Sequence, residues 1–199
     1  MIYETHLTID PADTPSLEIA HRWADDQRLK WTHILLDSGV HASQPMVTFH
    51  GRESLIAQRA RGERLAAELA DLSVTVVRHK IEVDARKVVS CEPPVYFECH
   101  LKLQLSSADD YRRAVEIAAR HTAHLSRNAR RRSVDGSEQR FLTLRHDKGE
   151  AERAAADQRR LLAELQHSGI TVLETEAERV IYDSNFSLDE GWTPLCSAG

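Results

Sequence analysis

The stretch YFECHLK at residues 96–102 decides how the rest of the chain is interpreted, because a close copy of it, YETHLT, stands at residues 3–8. Both stretches contain an aromatic residue, a Glu, one further residue, a His and a Leu, displaced by 94 positions. A motif that recurs at a long, fixed distance indicates a folding unit that is used twice. We therefore predict a tandem duplication.

Three further matches follow in the same order along the two halves. His33 corresponds to His124, and the pattern QxxxT at 44–48 corresponds to the one at 139–143. A longer match combines a predicted helix end with the start of the next strand. It consists of LAAEL (65–69) and VTV (74–76) in the first half, and of LLAEL (161–165) and ITV (170–172) in the second. Four matches in one order with a nearly constant offset support the duplication.

Hydrophobic periodicity predicts the same elements in each half. Strict alternation over residues 2–9 is typical of a strand with one covered face, and apolar spacing of three and four over 15–28 predicts a helix. The predicted order is strand, helix, strand, strand, helix, strand, which is the ferredoxin-like arrangement. The remaining predicted elements are strands 31–36 and 44–50, helix 54–72 and strand 74–83, then strand 95–104, helix 107–120, strands 122–127 and 139–146, helix 150–167 and strand 170–181.

The predicted fold class is thus α+β. It is a tandem duplication of a ferredoxin-like βαββαβ unit, giving two antiparallel sheets with helices on one face of each and a cleft between the open faces. The predicted boundaries are 1–86 for the first repeat, 87–94 for a connector and 95–183 for the second repeat. Residues 184–199 form a C-terminal tail, part of which Trp192 and Pro194 are expected to pack against the body.

Composition narrows the functional classes. The chain has 199 residues and a net charge of -5, which disfavours a general nucleic-acid or membrane-surface binder. No apolar run approaches the roughly 20 residues that a membrane span needs, and no export leader is recognisable. The cysteines Cys91, Cys99 and Cys196 have no metal-type spacing and are expected to be reduced thiols, so a cytoplasmic protein is expected.

Strand parity predicts which polar side chains face away from the helices. On the first strands these are Glu4, His6 and Thr8, and Glu98, His100 and Lys102. On the third strands they are Gln44, Met46, Thr48 and His50, and Gln139, Phe141, Thr143 and Arg145. If the two open faces meet, they form a polar cleft between the repeats.

The tripeptide His6-Leu7-Thr8 resembles the His-x-Thr motif of the two-histidine phosphoesterases, which are also duplicated α+β proteins with a cleft between lobes. The resemblance implies that one histidine acts as an acid and the other as a base on a phosphodiester, while threonine hydroxyls hold the phosphate. The second copy, His100-Leu101-Lys102, has an ammonium group where that motif has a hydroxyl.

The leading functional hypothesis is an enzyme, phosphoesterase-like, acting on a phosphorylated or anionic small molecule or nucleotide. His6 and His100 would exchange protons, tuned by Glu4 and Glu98. The Arg-rich stretch 126–133 could clamp the anion. The predicted substrate-binding residues are Thr8, Lys102, Gln44, Thr48, Gln139, Thr143, Arg127, Arg130 and Arg131.

Two alternatives remain at this stage. In the first, His6 with Glu82 and His100 with Glu178 converge from the first and last strands of each repeat and bind a divalent metal. In the second, the chain is a non-catalytic ligand-binding or interaction module. The leading hypothesis assigns no metal ligand and leaves the cofactor unknown. Its expected partner is a small anionic or phosphorylated ligand, with nucleic acid less favoured and no membrane.

Overall fold

The computed structural model describes residues 1–12, 14–87, 93–129 and 137–191. Each half contains strand, helix, strand, strand, helix, strand, in the predicted order. The elements are β1 (Tyr3–Ile9), α1 (Thr14–Asp26), β2 (Lys30–Leu36), β3 (Ser43–Gly51), α2 (Leu55–Asp71), β4 (Val76–Asp84), β5 (Tyr96–Leu105), α3 (Ala108–His121), β6 (His124–Asn128), β7 (Glu138–Asp147), α4 (Ala151–His167) and β8 (Thr171–Asp183). Two short 3-10 turns follow β4 and β8, at Ala85–Lys87 and Phe186–Asp189.

The eight strands form one closed antiparallel barrel in the order β1-β3-β2-β6-β7-β5-β8-β4. The prediction of a tandem ferredoxin-like fold with two open sheets and a cleft is therefore wrong. The reason lies at the sheet edges, where unpaired backbone groups favour pairing with another strand. β2 pairs with β6, and β4 pairs with β8, so each half satisfies the edges of the other and the cleft becomes a barrel interior.

The helices pack on the outside of the barrel over two large apolar cores and one smaller cluster in the described part of the chain. In the first half, Ile9 and Val47 from the strands meet Trp23 and Leu69 from the helices. The larger core of the second half contains sixteen buried residues from β5, α3, β6, β7 and α4 and the loops beside them. Because alternate strand residues supply these cores, the intervening residues point into the barrel.

The helix α2 lies unusually close to β4. A Cβ atom added to Gly62 would lie 2.3 Å from the Cε1 atom of His79, so any larger residue at this position requires the His79 ring to shift. Burial lowers the pKa of His79 to about 4, and the imidazole is therefore neutral at pH 7. This contact places β4, which carries several interior charges, directly beneath α2.

The C-terminal segment Ser184–Glu190 turns over one end of the barrel. Asn185 Nδ2 donates to the Val77 carbonyl, and the backbone N–H of Val40 donates to the Glu190 carbonyl. The predicted packing of Trp192 and Pro194 concerns residues outside the described ranges. No helix in the described part of the chain combines the length and the apolar character that a membrane crossing requires.

Candidate site in the barrel interior

The first polar centre consists of Glu4, His6, Thr48 and Glu82. His6 lies opposite Thr48 across the β1–β3 ladder, and Glu4 lies opposite Glu82 across the β1–β4 ladder. His6 Nδ1 is 2.8 Å from Thr48 Oγ1, and His6 Nε2 is 2.6 Å from Glu82 Oε1. Glu4 Oε1 is 3.8 Å from the same Nε2 atom, and its other oxygen is 3.2 Å from Nε2 of His50.

The second polar centre consists of Glu98, His100, Thr143 and Glu178, and it has the same pattern. His100 Nδ1 is 2.9 Å from Thr143 Oγ1, and His100 Nε2 is 3.1 Å from Glu178 Oε2. Glu98 Oε2 is 3.6 Å from that Nε2 atom. The structure thus brings together the His–Glu pairs of the metal hypothesis in both halves.

The order Thr, His, Glu in each centre resembles a nucleophile, its base and the group that orients the base. Burial argues against that role, because Thr48 is 2% exposed and Thr143 is 5% exposed. A nucleophile must reach its substrate, and these hydroxyls do not reach the surface. The threonines instead fix the orientation of the two imidazole rings.

Two cationic side chains bind the carboxylates of these centres. Lys80 Nζ lies 2.7 Å from Glu82 Oε2 and 3.0 Å from Glu98 Oε2, so it bridges the two centres. Arg145 donates from Nη2 to Glu98 Oε1 at 3.0 Å. Burial would raise the pKa of Glu98, but Lys80 and Arg145 hold that pKa well below its usual value. Burial opposes the charge of Lys80, but Glu82 and Glu98 raise the pKa of this ammonium group.

Glu82 and Glu178 occupy matching positions but have opposite electrostatic environments. Burial and the charge of Glu82 raise the pKa of Glu178 to about 7, against the effect of its bond to His100. Burial also opposes the charge of Glu82, yet Lys80 and His6 lower the pKa of that carboxyl. Despite burial, the hydrogen bonds to Glu178 and Glu98 raise the pKa of His100 to about 10.

A cavity of about 450 Å³ opens at the barrel end next to the first centre. Its acidic lining residues are Glu4, Glu82, Asp84, Glu176 and Glu178. Its basic lining residues are Arg52, Arg86 and Lys87, and His50 also lines it. Arg86 and Lys87 are exposed and pair with Asp84, so the acidic groups dominate the inner wall.

The predicted substrate-binding residues lie mostly away from this cavity. Thr48 and Thr143 bind the two histidines, as described above, and Thr8 is buried on β1. Gln44 donates to the Leu188 carbonyl, Lys102 Nζ lies 3.5 Å from Glu174 Oε2, and Gln139 donates to Gln104. Arg127 is half-buried on β6 opposite Leu35. Arg130 and Arg131 lie outside the described residues.

Several interior residues were missing from the sequence-based site. Arg78 and Lys80 share the parity of Glu82 on β4, so the alternation of that strand was the available signal. Asp189 follows the last strand and has no counterpart in the first half, and no sequence pattern pointed to it.

The phosphoesterase-like arrangement expected from His6 and His100 is not observed. That arrangement requires two histidines facing one phosphate across a cleft between lobes. In the closed barrel each histidine is bound to its own threonine and its own glutamate.

Comparisons with known proteins add nothing about function. No family model matches the chain, and no curated protein matches it. Among solved structures, a protein of Fusobacterium nucleatum provisionally assigned as a monooxygenase is 7% identical, with 93% of this chain and 94% of that chain covered and a TM-score of 0.34.

Two other solved structures are similarly distant. One, from Lactobacillus acidophilus and also provisionally assigned as a monooxygenase, is 13% identical over 90% of this chain and 92% of that chain, with a TM-score of 0.31. The other, a heme-binding protein from Thermus thermophilus, is 7% identical over 90% of each chain, with a TM-score of 0.29. Likeness at this level carries no argument, so the site is interpreted from its own chemistry.

Proposed function

We propose that the first centre binds a divalent metal ion and that the protein is a metal-dependent enzyme acting on a small anionic molecule in the cavity. One observation carries the proposal. Glu4, His6 and Glu82 each offer one ligand atom, and these atoms all lie within 4.8 Å of one another. A small shift of the side chains would bring all three onto one ion.

The donor set favours particular metals. One imidazole with two carboxylates suits first-row ions such as Mn²⁺, Fe²⁺ and Zn²⁺ better than Mg²⁺ or Ca²⁺, which prefer oxygen ligands alone. The hydrogen bond between His6 Nδ1 and Thr48 orients the ring so that Nε2 faces the carboxylates. Such a supporting bond is typical of metal-binding histidines. An ion would replace the proton that Nε2 and Glu82 Oε1 share at 2.6 Å.

The same geometry recurs in Glu98, His100 and Glu178, but this second centre is less suited to an ion. Both oxygens of Glu98 already bind cations, one Lys80 and the other Arg145. The Glu98 side chain is 3% exposed, whereas that of Glu4 is 28% exposed and lines the cavity. We therefore expect one ion per chain, at the first centre.

The cavity supports the choice of an anionic substrate. A bound ion would offset the inner carboxylates and supply vacant coordination positions for an oxyanion, and Arg52 lies on the cavity wall beside them. The ion would polarise the substrate or activate a water molecule. His50, 3.2 Å from Glu4, is placed to transfer a proton at the mouth of the cavity.

Calorimetric titration of chelator-treated protein with Mn²⁺ and Zn²⁺ tests the metal site. We expect one ion per chain, and we expect Glu4→Gln and His6→Asn each to weaken its binding at least about tenfold. His100→Asn is the matched control and should retain the wild-type affinity, with circular dichroism confirming that each variant is folded. Binding that survives His6→Asn but disappears in His100→Asn would overturn the assignment.

The anionic substrate is tested separately with oxalate, a small dicarboxylate that coordinates divalent ions. Oxalate should stabilise the Mn²⁺-loaded protein more than the metal-free protein. Arg52→Ala should weaken this response without changing Mn²⁺ affinity. If the protein binds the metal ion but does not respond to oxalate, the metal site is supported and the anionic substrate is rejected.

A further inference from the structure

The barrel end opposite the first centre is covered by the chain itself. The short turn Phe186–Asp189 lies over it, and Asp189 is completely buried although Phe186, three residues earlier, is 41% exposed. A buried charge requires strong partners. The partners of this carboxylate are two guanidinium groups from the barrel interior.

Arg78 binds Asp189 through both terminal nitrogens of its guanidinium group. Its Nη1 and Nη2 atoms donate to Oδ1 and Oδ2 of Asp189, each at 2.8 Å, and Arg145 donates to Oδ2 from the other side. Two parallel bonds from one guanidinium are the geometry in which arginine recognises a free carboxylate. The ring of Tyr96, with Arg145 stacked on it, lies beside Arg78, which also donates to the phenolic oxygen at 2.9 Å.

A comparison of the two barrel ends shows that the space occupied by Asp189 need not be filled by the chain. Glu4 pairs with His50 across β1 and β3, and Glu98 pairs with Arg145 at the matching place across β5 and β7. Beside Glu4 and His50 the barrel opens into the cavity of about 450 Å³. Beside Glu98 and Arg145 the corresponding space contains the turn with Asp189.

Besides the arginine bonds to Asp189 and the bond from Asn185 to Val77, two further hydrogen bonds between described residues attach the turn. Gln44 Nε2 donates to the Leu188 carbonyl at 3.1 Å, and the Val40 N–H donates to the Glu190 carbonyl at 2.9 Å. Leu188 supplies the buried apolar contact of the turn. The covering turn is four residues long, so its release breaks no barrel ladder. Arg78 would then keep Asp183 of β8 as a partner, and Arg145 would keep Glu98.

We propose that Arg78 and Arg145 form a second binding site, specific for a small carboxylate ligand, and that Asp189 occupies it as a displaceable internal ligand. This site lies away from the first centre and does not depend on a metal ion. It gives the chain an anion-binding end and a cation-binding end on one barrel.

Removing the internal carboxylate is the direct test. Asp189→Ala should lower the melting temperature, and acetate should restore it by about 3 °C or more in a saturable manner, relative to chloride at equal ionic strength. The matched control, Asp189→Ala combined with Arg145→Met, should show no recovery specific to acetate. An equal acetate response in both variants, or none in Asp189→Ala, would overturn the proposal.

The wild-type protein provides a second test that does not depend on how the variant folds. Hydrogen exchange at the amides of Val40 and Glu190 should accelerate as acetate is added, because acetate competes with Asp189 for the arginines. The amides of β5 should be unaffected. Exchange at Val40 and Glu190 that is independent of acetate would show that the turn is a fixed part of the fold.

Discussion

The two polar centres of the barrel have the same residues in the same bonds but different surroundings. In each, a histidine lies between a threonine hydroxyl and a glutamate. The first centre borders an open cavity, where Glu4 contacts His6 and His50. In the second centre, Glu98 is enclosed and holds Lys80 and Arg145.

This difference indicates that one geometry serves two purposes. Enclosed charges with complete partners stabilise a fold only as long as every partner is present. An exposed carboxylate with incomplete partners remains available to a ligand. We therefore expect substitution of the enclosed Glu98 to affect mainly stability and substitution of the exposed Glu4 to affect mainly binding.

The largest effect should come from the matched pair Glu98→Gln and Glu4→Gln. Glu98→Gln leaves Lys80 and Arg145 buried without their shared carboxylate, which should lower the free energy of unfolding by about 3–5 kcal/mol. Glu4→Gln should change it by less than about 1 kcal/mol. Urea unfolding of metal-free protein measures both values, and equal losses would remove the distinction between the centres.

The next effect is a difference in the pH dependence of stability between Glu178→Gln and Glu82→Gln. The pKa of Glu178 is raised to about 7, so between pH 4.5 and 7 the folded chain keeps a proton that the unfolded chain has released. Its contribution to stability is therefore lost as the pH rises through this window. Glu178→Gln stays neutral but also removes a partner of the charged His100, so the metal-free variant should lose about 1–3 kcal/mol less stability than the wild type between pH 5 and pH 8.

Glu82 should behave in the opposite way. Its pKa is lowered, so its stabilising charge is present above the unfolded value and is lost only as the pH falls. Glu82→Gln should accordingly destabilise the protein at pH 8. Urea unfolding at pH 5 and pH 8 with a chelator present tests the pair. A Glu178→Gln variant that loses as much stability as the wild type between these pH values would contradict the electrostatic contrast.

A smaller effect is expected from Gly62→Ala, which changes the packing beneath the first centre and leaves its charges intact. Alanine normally stabilises a helix interior relative to glycine by about 1 kcal/mol. Here its Cβ would lie 2.3 Å from the His79 ring, and overpacking should produce a net loss of about 1–2 kcal/mol. Thermal unfolding decides the sign. Stabilisation would mean that β4 and His79 shift easily.

The smallest effect concerns Thr48→Val and Thr143→Val. Each leaves a histidine Nδ1 without its hydroxyl partner, and each should cost about 1 kcal/mol of stability. Only Thr48→Val should also weaken Mn²⁺ binding, by roughly tenfold, because Thr48 orients the proposed ligand His6. Calorimetric titration of both variants with Mn²⁺ tests this difference. Equal Mn²⁺ affinities would show that Thr48 does not support metal binding.

Strand alternation predicted which strand face is polar, and the metal alternative paired His6 with Glu82 and His100 with Glu178, which are in contact in the structure. Period-two alternation places Glu4 and His6 on one face of their strand in an open sheet and in a closed barrel alike. It does not distinguish a face that lines a cleft from a face that lines a closed barrel. That distinction depends on edge pairing between β2 and β6 and between β4 and β8, which connects residues far apart in sequence.

The local sequence pattern also could not predict that the two centres have different neighbours. Lys80 and Arg145 become important because a long side chain from one half reaches a carboxylate of the other, as Lys80 reaches Glu98. The matched motif at residues 3–8 and 96–102 suggested equal roles for His6 and His100. The structure gives these two residues different neighbours, and the neighbours decide what each centre can do.

Closure of the barrel also determines where the protein should first lose amide protection. A strand in a closed ring cannot fray at a free edge, so local opening has to begin at the least extensively paired strand. That strand is β6, the shortest of the eight in the described part of the chain, whose described residues are in register with β2 at Ser126–Asn128 and with β7 at His124–Ser126. Its amides should exchange before those of the long β5–β8 ladder, making β6 the point at which cooperative unfolding of the ring begins.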